Sequence, residues 1–132
     1  MTKKHRDRGS AAVEFALVVP LLILLVLGIA ELGRAYHLQT MISGAARDGV
    51  RVMALQDDPA AARATTKASA SELNLTDAQI SVAPTTCAST ASTPAATATV
   101  AVTYPMDFIV DLFGAFGADL TLTGKGTMRC NG

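Results

Sequence analysis

The feature that most constrains this chain is an uncharged apolar run near its N-terminus. From Phe15 to Ala30 the sequence reads FALVVPLLILLVLGIA, without one ionisable side chain. Ser10 to Val13 before it is also uncharged, so Glu14 is the one acid between residues 10 and 30. A helix needs about 20 apolar residues to cross a bilayer core. The run therefore predicts a membrane span at about residues 10–30, with a small remainder of the chain outside the lipid bilayer.

Charge is unevenly distributed on the two sides of this run. Residues 1–9 carry a net charge of +3, from Lys3, Lys4, Arg6 and Arg8 against Asp7, and the rest of the chain carries −3. A basic leader before an apolar span stays in the cytoplasm. We therefore expect a single-pass protein of the cell (inner) membrane, with a cytoplasmic N-terminus and an exported C-terminal part. A length of 132 residues and a formal net charge of +0 argue against a multidomain enzyme and against a nucleic-acid binder.

The apolar run continues into a longer helical pattern. One helix is predicted from residue 10 to about residue 55, and its second half shows an apolar stripe at steps of three and four residues. The stripe consists of Leu38, Ile42, Ala45, Gly49 and Met53. Ala45 and Gly49 also form a small-xxx-small pair that permits close helix packing. Pro20 and Gly28 indicate either an ordinary kinked span or a helix that bends or melts when it leaves the bilayer.

Residues 56–132 predict a small exported α+β head. Asp58 and Pro59 are typical of an N-cap and first turn, so a second helix is expected from Pro59 to about Leu73. Residues 84–99 are rich in threonine, alanine and proline and predict a loop. The alternating patterns that predict strands of an antiparallel sheet are Ala78–Ala83, Thr99–Tyr104 and Leu120–Arg129.

Two cysteines, Cys87 and Cys130, both fall in the part expected to be exported, where disulfides form and persist. Two cysteines allow one intramolecular bridge. In the chain-entropy model, closing that loop would raise the free energy of unfolding by roughly 3–4 kcal/mol. The alternative is an intermolecular bridge between two copies.

The stretch KKHRDRGSAAVEF, residues 3–15, carries most of the functional information. It places one carboxylate, that of Glu14, at the mouth of the apolar run, where an ionisable group is costly and usually has a partner. Cleavage after Gly9 would create a free amine on Ser10, four residues from Glu14, and that amine would be a suitable cation.

This stretch resembles the processing site of type IV pilins and pseudopilins, with a basic leader, a glycine and then a glutamate as the fifth mature residue. Gly9, Ser10 and Glu14 match the residue before the cut, the new N-terminus and the acid. Phe15 stands where the Flp (tight-adherence) pilins have an aromatic residue. The sequence RGSAAVEFALVVPLLILLVLGIAELGRAYHLQTMISGAARDGVRVMA resembles the TadE-like family, minor pilin-like proteins of tight-adherence pilus assembly, and TLTGKGTMR is compatible with the family's final strand.

The resemblance implies a non-enzymatic pilus subunit that is itself a substrate of a prepilin peptidase, cut between Gly9 and Ser10. It implies that Glu14 faces the new amine of a neighbouring subunit and sets the axial register. The implied partners are other minor pilin-like subunits, the major Flp pilin, the inner-membrane assembly platform and the lipid bilayer. The head is larger than that of a minimal major pilin, which favours a minor or priming subunit.

Other readings of the N-terminus stay open. A secretory signal peptide would have the same basic and apolar regions, with Gly28-Ile29-Ala30 as a small-x-small cleavage site and a secreted domain starting at Glu31. A plain single-span anchor without processing is a further alternative. In either case the product would be an adhesive or interaction domain unrelated to pili.

No residue pattern predicts catalysis, a cofactor or a metal site. The two histidines, His5 and His37, do not form a zinc site with this cysteine count. The GKGT at Gly124–Thr127 lacks the glycine spacing of a phosphate-binding loop and is interpreted as a strand with a local irregularity. Asp57-Asp58 would suit a cation, but helix capping explains the pair.

The stretch DFIVDLFGAF, residues 107–116, predicts an apolar helical face. Its apolar members include Phe108, Leu112, Phe113 and Phe116. The face either covers the sheet and the long helix or serves as an interface for another pilin-like subunit or the bilayer surface.

Overall fold

The computed structural model describes residues 6–88, 96–109 and 119–130. Its helices are α1, Arg6–Gln56, and α2, Pro59–Ser69, and its strands are β1, Ile80–Ala83, β2, Thr97–Met106, and β3, Leu120–Arg129. Two short 3₁₀ turns, Ser71–Leu73 and Asp77–Gln79, lie between α2 and β1. A long apolar helix, a short helix and a small antiparallel sheet confirm the predicted α+β class.

The chain divides into two compact units, Met1–Arg34 and Ala35–Gly132. The first unit contains the apolar part of α1, and the helix continues through both Pro20 and Gly28. The second unit contains the rest of α1 together with all the other elements. The division into a leader, a long helix and a head from residue 56 stays a prediction, since the compact second unit begins within α1.

The core of the second unit forms on the stripe of α1. Leu38, Ile42, Ala45, Gly49 and Met53 are all buried, as the spacing predicts. A helix presents one face at steps of three and four residues, so this stripe can pack on a single surface.

The backbone of α1 at Ile42 and Ala46 lies on the inner face of a three-stranded antiparallel sheet with the order β1-β2-β3, whereas Gly49 of the stripe faces α2. Strand β2 lies in the centre and pairs with β3 over ten residues, from Thr97↔Arg129 to Met106↔Leu120. Alternate residues of the strands point into the core, and they are Ile80, Val82, Ala98, Val100, Val102, Met106 and Leu122.

Glycines allow the backbone of α1 to lie directly on β3. A Cβ atom on Gly124 would lie 2.6 Å from the carbonyl carbon and oxygen of Ile42, and one on Gly126 would lie 2.6 Å from the Ala46 carbonyl oxygen. Both distances are too short for any side chain. The GKGT stretch is therefore a helix-packing surface within a regular strand, and the predicted local irregularity is absent from β3.

Gly49 has the same role between the two helices. A Cβ at this position would overlap the Thr66 hydroxyl, which is fully buried and donates to the Ala62 carbonyl at 2.8 Å. Gly49, one member of the Ala45–Gly49 pair, thus permits close packing within the chain, between α1 and α2.

Element boundaries differ from the predicted ones in four places. Helix α1 begins at Arg6, four residues before its predicted start at residue 10. Helix α2 ends at Ser69, and the next turn is 3₁₀, so the predicted end at Leu73 is wrong by one turn. Strand β1 begins at Ile80, two residues after its predicted start at Ala78, because Gln79 belongs to a 3₁₀ turn. The Gln79 side chain accepts a hydrogen bond from the Thr76 backbone N–H at 2.8 Å. Strand β2 is longer than predicted because pairing with β3 extends it by two residues at each end.

Candidate functional site

The predicted processing and assembly residues lie on the first turns of the described helix. Gly9 and Ser10 are helical and exposed, and a Cβ on Gly9 would meet nothing within 4 Å. Glu14 is exposed one turn later, and Phe15 beside it is 71% exposed. The helix brings the four residues within two turns of one another. The described contacts give none of them a packing role in the fold.

The helix that follows exposes a long apolar surface. Its most apolar 18-residue window has a mean hydropathy of 2.8, and none of that window is buried within the protein. The large apolar side chains exposed in this part of the helix are Val13, Phe15, Leu17, Val18, Leu21, Leu22, Ile23, Leu24, Leu25, Val26, Ile29 and Leu32. Exposed apolar surface on this scale is unfavourable in water. By length and composition the helix can cross a membrane, and it fits a single-pass membrane protein.

A second acid on the same helix, Glu31, was not singled out from the sequence. Its side chain is buried, and its carboxylate lies 3.8 Å from the Arg34 guanidinium, one turn further along. The signal available in the sequence is the i, i+3 spacing of an acid and a base directly after the apolar run.

The disulfide joins Cys87, which follows β1, to Cys130, which follows β3. Their Cα atoms are 5.4 Å apart, and both residues are buried. The structure pairs the two cysteines within one chain, which is the first of the two alternatives left open by the sequence. The backbone N–H of Cys130 also donates to the Ala96 carbonyl at 2.9 Å, which extends the β2–β3 ladder by one residue pair.

Asp57 connects the end of α1 to this bridge. It adopts a left-handed conformation with φ of 51°, and its carboxylate accepts hydrogen bonds from the Thr86 hydroxyl, at 2.9 Å, and from the Cys87 backbone N–H. Asp58 beside it caps α2 by accepting from the backbone N–H groups of Ala60 and Ala61. Helix capping therefore explains Asp58, whereas Asp57 anchors the segment before the disulfide.

An exposed ion pair of the second unit lies between α2 and the second 3₁₀ turn. Lys67 Nζ is 2.8 Å from Asp77 Oδ1. The hydrogen bond and charge of Lys67, with a smaller contribution from Arg63, hold the pKa of Asp77 below its usual value of 3.8. These three side chains, with Ala60 and Ala64, line an open groove on the surface.

The predicted apolar face at residues 107–116 is described only in part. Phe108 is half-buried and Ile109 is 70% exposed, and both follow directly after β2. Leu112, Phe113 and Phe116 lie outside the described residues. The choice between a core face and a docking face therefore stays open.

His37 is exposed on α1. Within residues 6–88, 96–109 and 119–130, no three histidine, cysteine or acidic side chains lie close enough to hold a metal ion. The expectation that the chain has no catalytic, cofactor or metal site stays a prediction.

The described geometry thus consists of an exposed apolar helix with one acid near its start and a compact α+β unit closed by a disulfide. Comparison with known proteins finds no match among curated proteins and none among solved structures. One protein-family model does match, over residues 9–51, and it is that of the TadE-like proteins. This match confirms the resemblance seen in the sequence and identifies the segment from Gly9 to Arg51 as TadE-like.

Proposed function

We propose that this protein is a minor, pseudopilin-like subunit of tight-adherence (Flp, type IVb) pilus assembly or a related secretion system, and that a prepilin peptidase cuts it after Gly9. The TadE-like family and a long apolar helix fit a component related to this pilus. The observation that carries the finer proposal is the start of the family match at Gly9, with Glu14 at the fifth position after it.

The environment of Gly9 leaves it accessible to an enzyme, as the environments of Gly28, Gly33 and Gly44 on the same helix also do. A side chain at this position would meet no atom within 4 Å, and the residue is helical, where glycine costs about 1 kcal/mol relative to alanine. Packing within the described chain gives no reason for a glycine here. A peptidase that needs close access to the backbone would supply one.

Glu14 would act as the partner of the new N-terminal amine. An uncompensated carboxylate in the apolar part of a bilayer costs up to about 2.5–3.5 kcal/mol on insertion scales. The amine of Ser10 on a neighbouring subunit would neutralise this charge. The requirement for that contact would fix the axial position of one helix relative to the next, with Phe15 packing at the same level.

The proposed topology places residues 1–9 in the cytoplasm and the compact unit outside the inner membrane. The Cys87–Cys130 disulfide supports this orientation, because such bridges persist in oxidising compartments. The proposed partners are the peptidase, other minor pilin-like subunits, the major Flp pilin and the assembly platform. A head with its own core and disulfide supports a minor subunit, although incorporation into the filament and priming of it are both compatible with this fold.

The mass of the mature protein tests the proposal. The chain is produced in cells with and without an active prepilin peptidase, and its N-terminus is read by intact mass. We expect a start at Ser10 that depends on the peptidase. A start at Glu31 would instead indicate a signal peptide and a secreted adhesive domain, and an uncut chain in the presence of the peptidase would indicate a simple membrane anchor.

A matched pair of variants makes the test specific. Gly9→Val is expected to abolish cleavage, whereas Gly28→Val is expected to leave it intact. Gly9 is exposed and Gly28 is half-buried on the same helix, and neither has an atom within 4 Å of a Cβ placed on it, so both substitutions add the same side chain without a packing clash. Equal cleavage of both variants would contradict a site at Gly9.

A further inference from the structure

The pairing of β3 with β2 determines which backbone N–H and C=O groups of β3 point away from the sheet. Cys130 lies opposite Ala96 and donates its N–H to the Ala96 carbonyl at 2.9 Å, so this is a hydrogen-bonded pair. Bonded and non-bonded pairs alternate along an antiparallel ladder. The even-numbered residues of β3 therefore bond to β2, and the odd-numbered residues direct their N–H and C=O groups away from the sheet.

Five residues form this outer edge, called the β3 edge below: Thr121, Thr123, Lys125, Thr127 and Arg129. A side-chain contact agrees with the assignment, because Gln39 Nε2 of α1 donates to the Thr123 carbonyl at 2.8 Å. The Gln39 amide occupies the position that the N–H of an adjacent strand would take. Within the described part of the chain, β3 pairs with no other strand on this side.

The position of α1 determines what can pair there. Because Gly124 and Gly126 bring the α1 backbone directly onto β3, a second copy that added its own β3 would also bring its own α1. Adjacent strands lie about 4.8 Å apart, whereas packed helices need about 8–10 Å between their axes. Antiparallel addition of a second β3 would therefore make the helices overlap. An extended segment without an overlying helix would fit.

The charges beside the edge indicate the chemistry of that segment. Lys125 and Arg129 are exposed on the same face, four residues or about 13 Å apart. Arg47 of α1 is also exposed, and its backbone nitrogen lies 3.0 Å from a Cβ atom placed on Gly126. The carboxylate of the neighbouring Asp48 is directed to the Ser69 hydroxyl, at 2.8 Å. Residues 120–129 contain no acid, and the exposed Asp119 lies before the first residue of β3, so the part of the edge from Thr123 to Arg129 is complementary to an acidic strand.

We propose that the β3 edge is a docking site for an extended acidic segment of a partner protein, which adds as a fourth strand and displaces the Gln39 amide from Thr123. Backbone hydrogen bonds to the outward groups would supply affinity, and carboxylates opposite Lys125 and Arg129 would supply specificity. This inference does not depend on the proposed pilus function.

A synthetic peptide tests the site on the full-length protein in detergent micelles. The probe is a fluorescent nonapeptide of alternating threonine and valine in which two glutamates, four residues apart, replace two threonines. Fluorescence anisotropy measures binding, and hydrogen exchange locates it. We expect slower exchange of the backbone amides within residues 121–129, and roughly tenfold weaker binding of the same peptide with lysines in place of the glutamates.

Variants of the protein separate strand addition from general charge attraction. Thr127→Pro removes one outward N–H without removing a bond to β2, and it is expected to weaken binding of the peptide at least about fivefold. Thr127→Val keeps the N–H and is expected to bind as the wild type does. Gln39→Ala frees the Thr123 carbonyl and is expected to strengthen binding several-fold.

Two results would overturn the proposal. One is equal binding of the glutamate peptide to the Thr127→Pro and Thr127→Val proteins, both with an intact disulfide, because strand addition requires that N–H. The other is an absence of peptide binding together with self-association of the Gln39→Ala protein. That result would mean that Gln39 and Lys125 protect the edge from aggregation, a role that charged and covered edge strands have in many sheets.

Discussion

Asp57 and Asp58 are chemically identical neighbours with different contacts. Asp58 has an extended backbone and caps the first turn of α2, whereas Asp57 has a left-handed backbone and directs its carboxylate to Thr86 and Cys87. A capping aspartate is recognisable from the Asp-Pro pair in the sequence. The contact of Asp57 joins residues 29 and 30 positions apart, and no local pattern could predict it.

Gly124 offers the clearest test of packing at the scale of one residue. Gly124→Ala places a methyl group 2.6 Å from backbone atoms of Ile42, which cannot rotate away. We expect the free energy of unfolding to fall by about 1–3 kcal/mol, as in other overpacked cores. Chemical denaturation followed by circular dichroism measures the change.

Gly44→Ala is the matched control for this substitution. Gly44 is exposed on α1 and a Cβ there meets nothing within 4 Å, so alanine should stabilise the helix by up to about 1 kcal/mol. Equal effects of the two substitutions would contradict the close approach of α1 to β3.

Glu14 provides a residue-scale test of the proposed assembly role. Glu14→Ala removes the partner of the N-terminal amine and leaves Gly9 and Ser10 unchanged. We therefore expect normal cleavage together with impaired pilus assembly. Immunoblots of the processed form and electron microscopy of the filaments measure the two effects, and normal filaments made with this variant would refute the register role.

At the scale of elements, periodicity in the sequence predicted most of the second unit. The alternation of residues 120–129 predicted β3 with its observed bounds, and the α1 stripe predicted the buried face. These elements follow their local pattern because one face of each is covered. The extent of β2 could not be predicted because pairing with β3 determines it. The packing role of Gly124 and Gly126 could not be predicted either, because it depends on a helix some 80 positions away.

The disulfide is the element-scale constraint with the largest expected effect. Cys87 and Cys130 are 43 positions apart, and closing a loop of this length is worth roughly 4 kcal/mol in the chain-entropy model. The Cys87→Ser/Cys130→Ser double variant should lose stability by about that amount. Urea denaturation of the variant and of the reduced wild type should give similar free energies of unfolding. A fall in the free energy of unfolding of less than about 1 kcal/mol relative to the oxidised wild type would contradict a stabilising bridge.

The Lys67–Asp77 pair should make part of the stability dependent on pH. Because Lys67 lowers the pKa of Asp77 in the folded protein, the pair stabilises the fold above the ordinary carboxyl value of 3.8. That contribution is lost as the pH falls through the lowered pKa. We expect Asp77→Asn to destabilise the protein slightly at neutral pH and to have no effect in strong acid. Thermal denaturation across this range measures the difference, and a constant difference at all pH values would contradict the assignment.

At the scale of the whole molecule, the two compact units differ in whether their apolar side chains are exposed or buried. The unit up to Arg34 exposes its apolar side chains, while the unit from Ala35 buries the α1 stripe and one face of the sheet. Apolar surface of the first kind is stable only when lipid or other apolar helices cover it. The sequence composition alone predicted this contrast, because it depends on segment averages and not on tertiary contacts.

A charge placed in the exposed apolar surface should prevent membrane insertion. Leu25→Lys adds about 2.5–3.5 kcal/mol to the cost of insertion. Leu55→Lys is the control, since Leu25 and Leu55 are 59% and 54% exposed on the same helix but Leu55 lies outside the apolar run. We expect only the first variant to be released by alkaline extraction of membranes. Retention of both would contradict a bilayer span at residues 10–30.

The contact between α1 and β3 also determines when the fold can be completed. Ile42 and Ala46 pack on Gly124 and Gly126, which follow them in the sequence by about 80 positions. A chain that emerges N-terminus first presents the α1 stripe long before β3 is available to cover it. The ladder between β2 and β3 likewise cannot form until β3 has emerged. The core therefore cannot close until about 80 residues beyond the stripe have emerged, and until then the stripe stays accessible to chaperones and to neighbouring apolar helices.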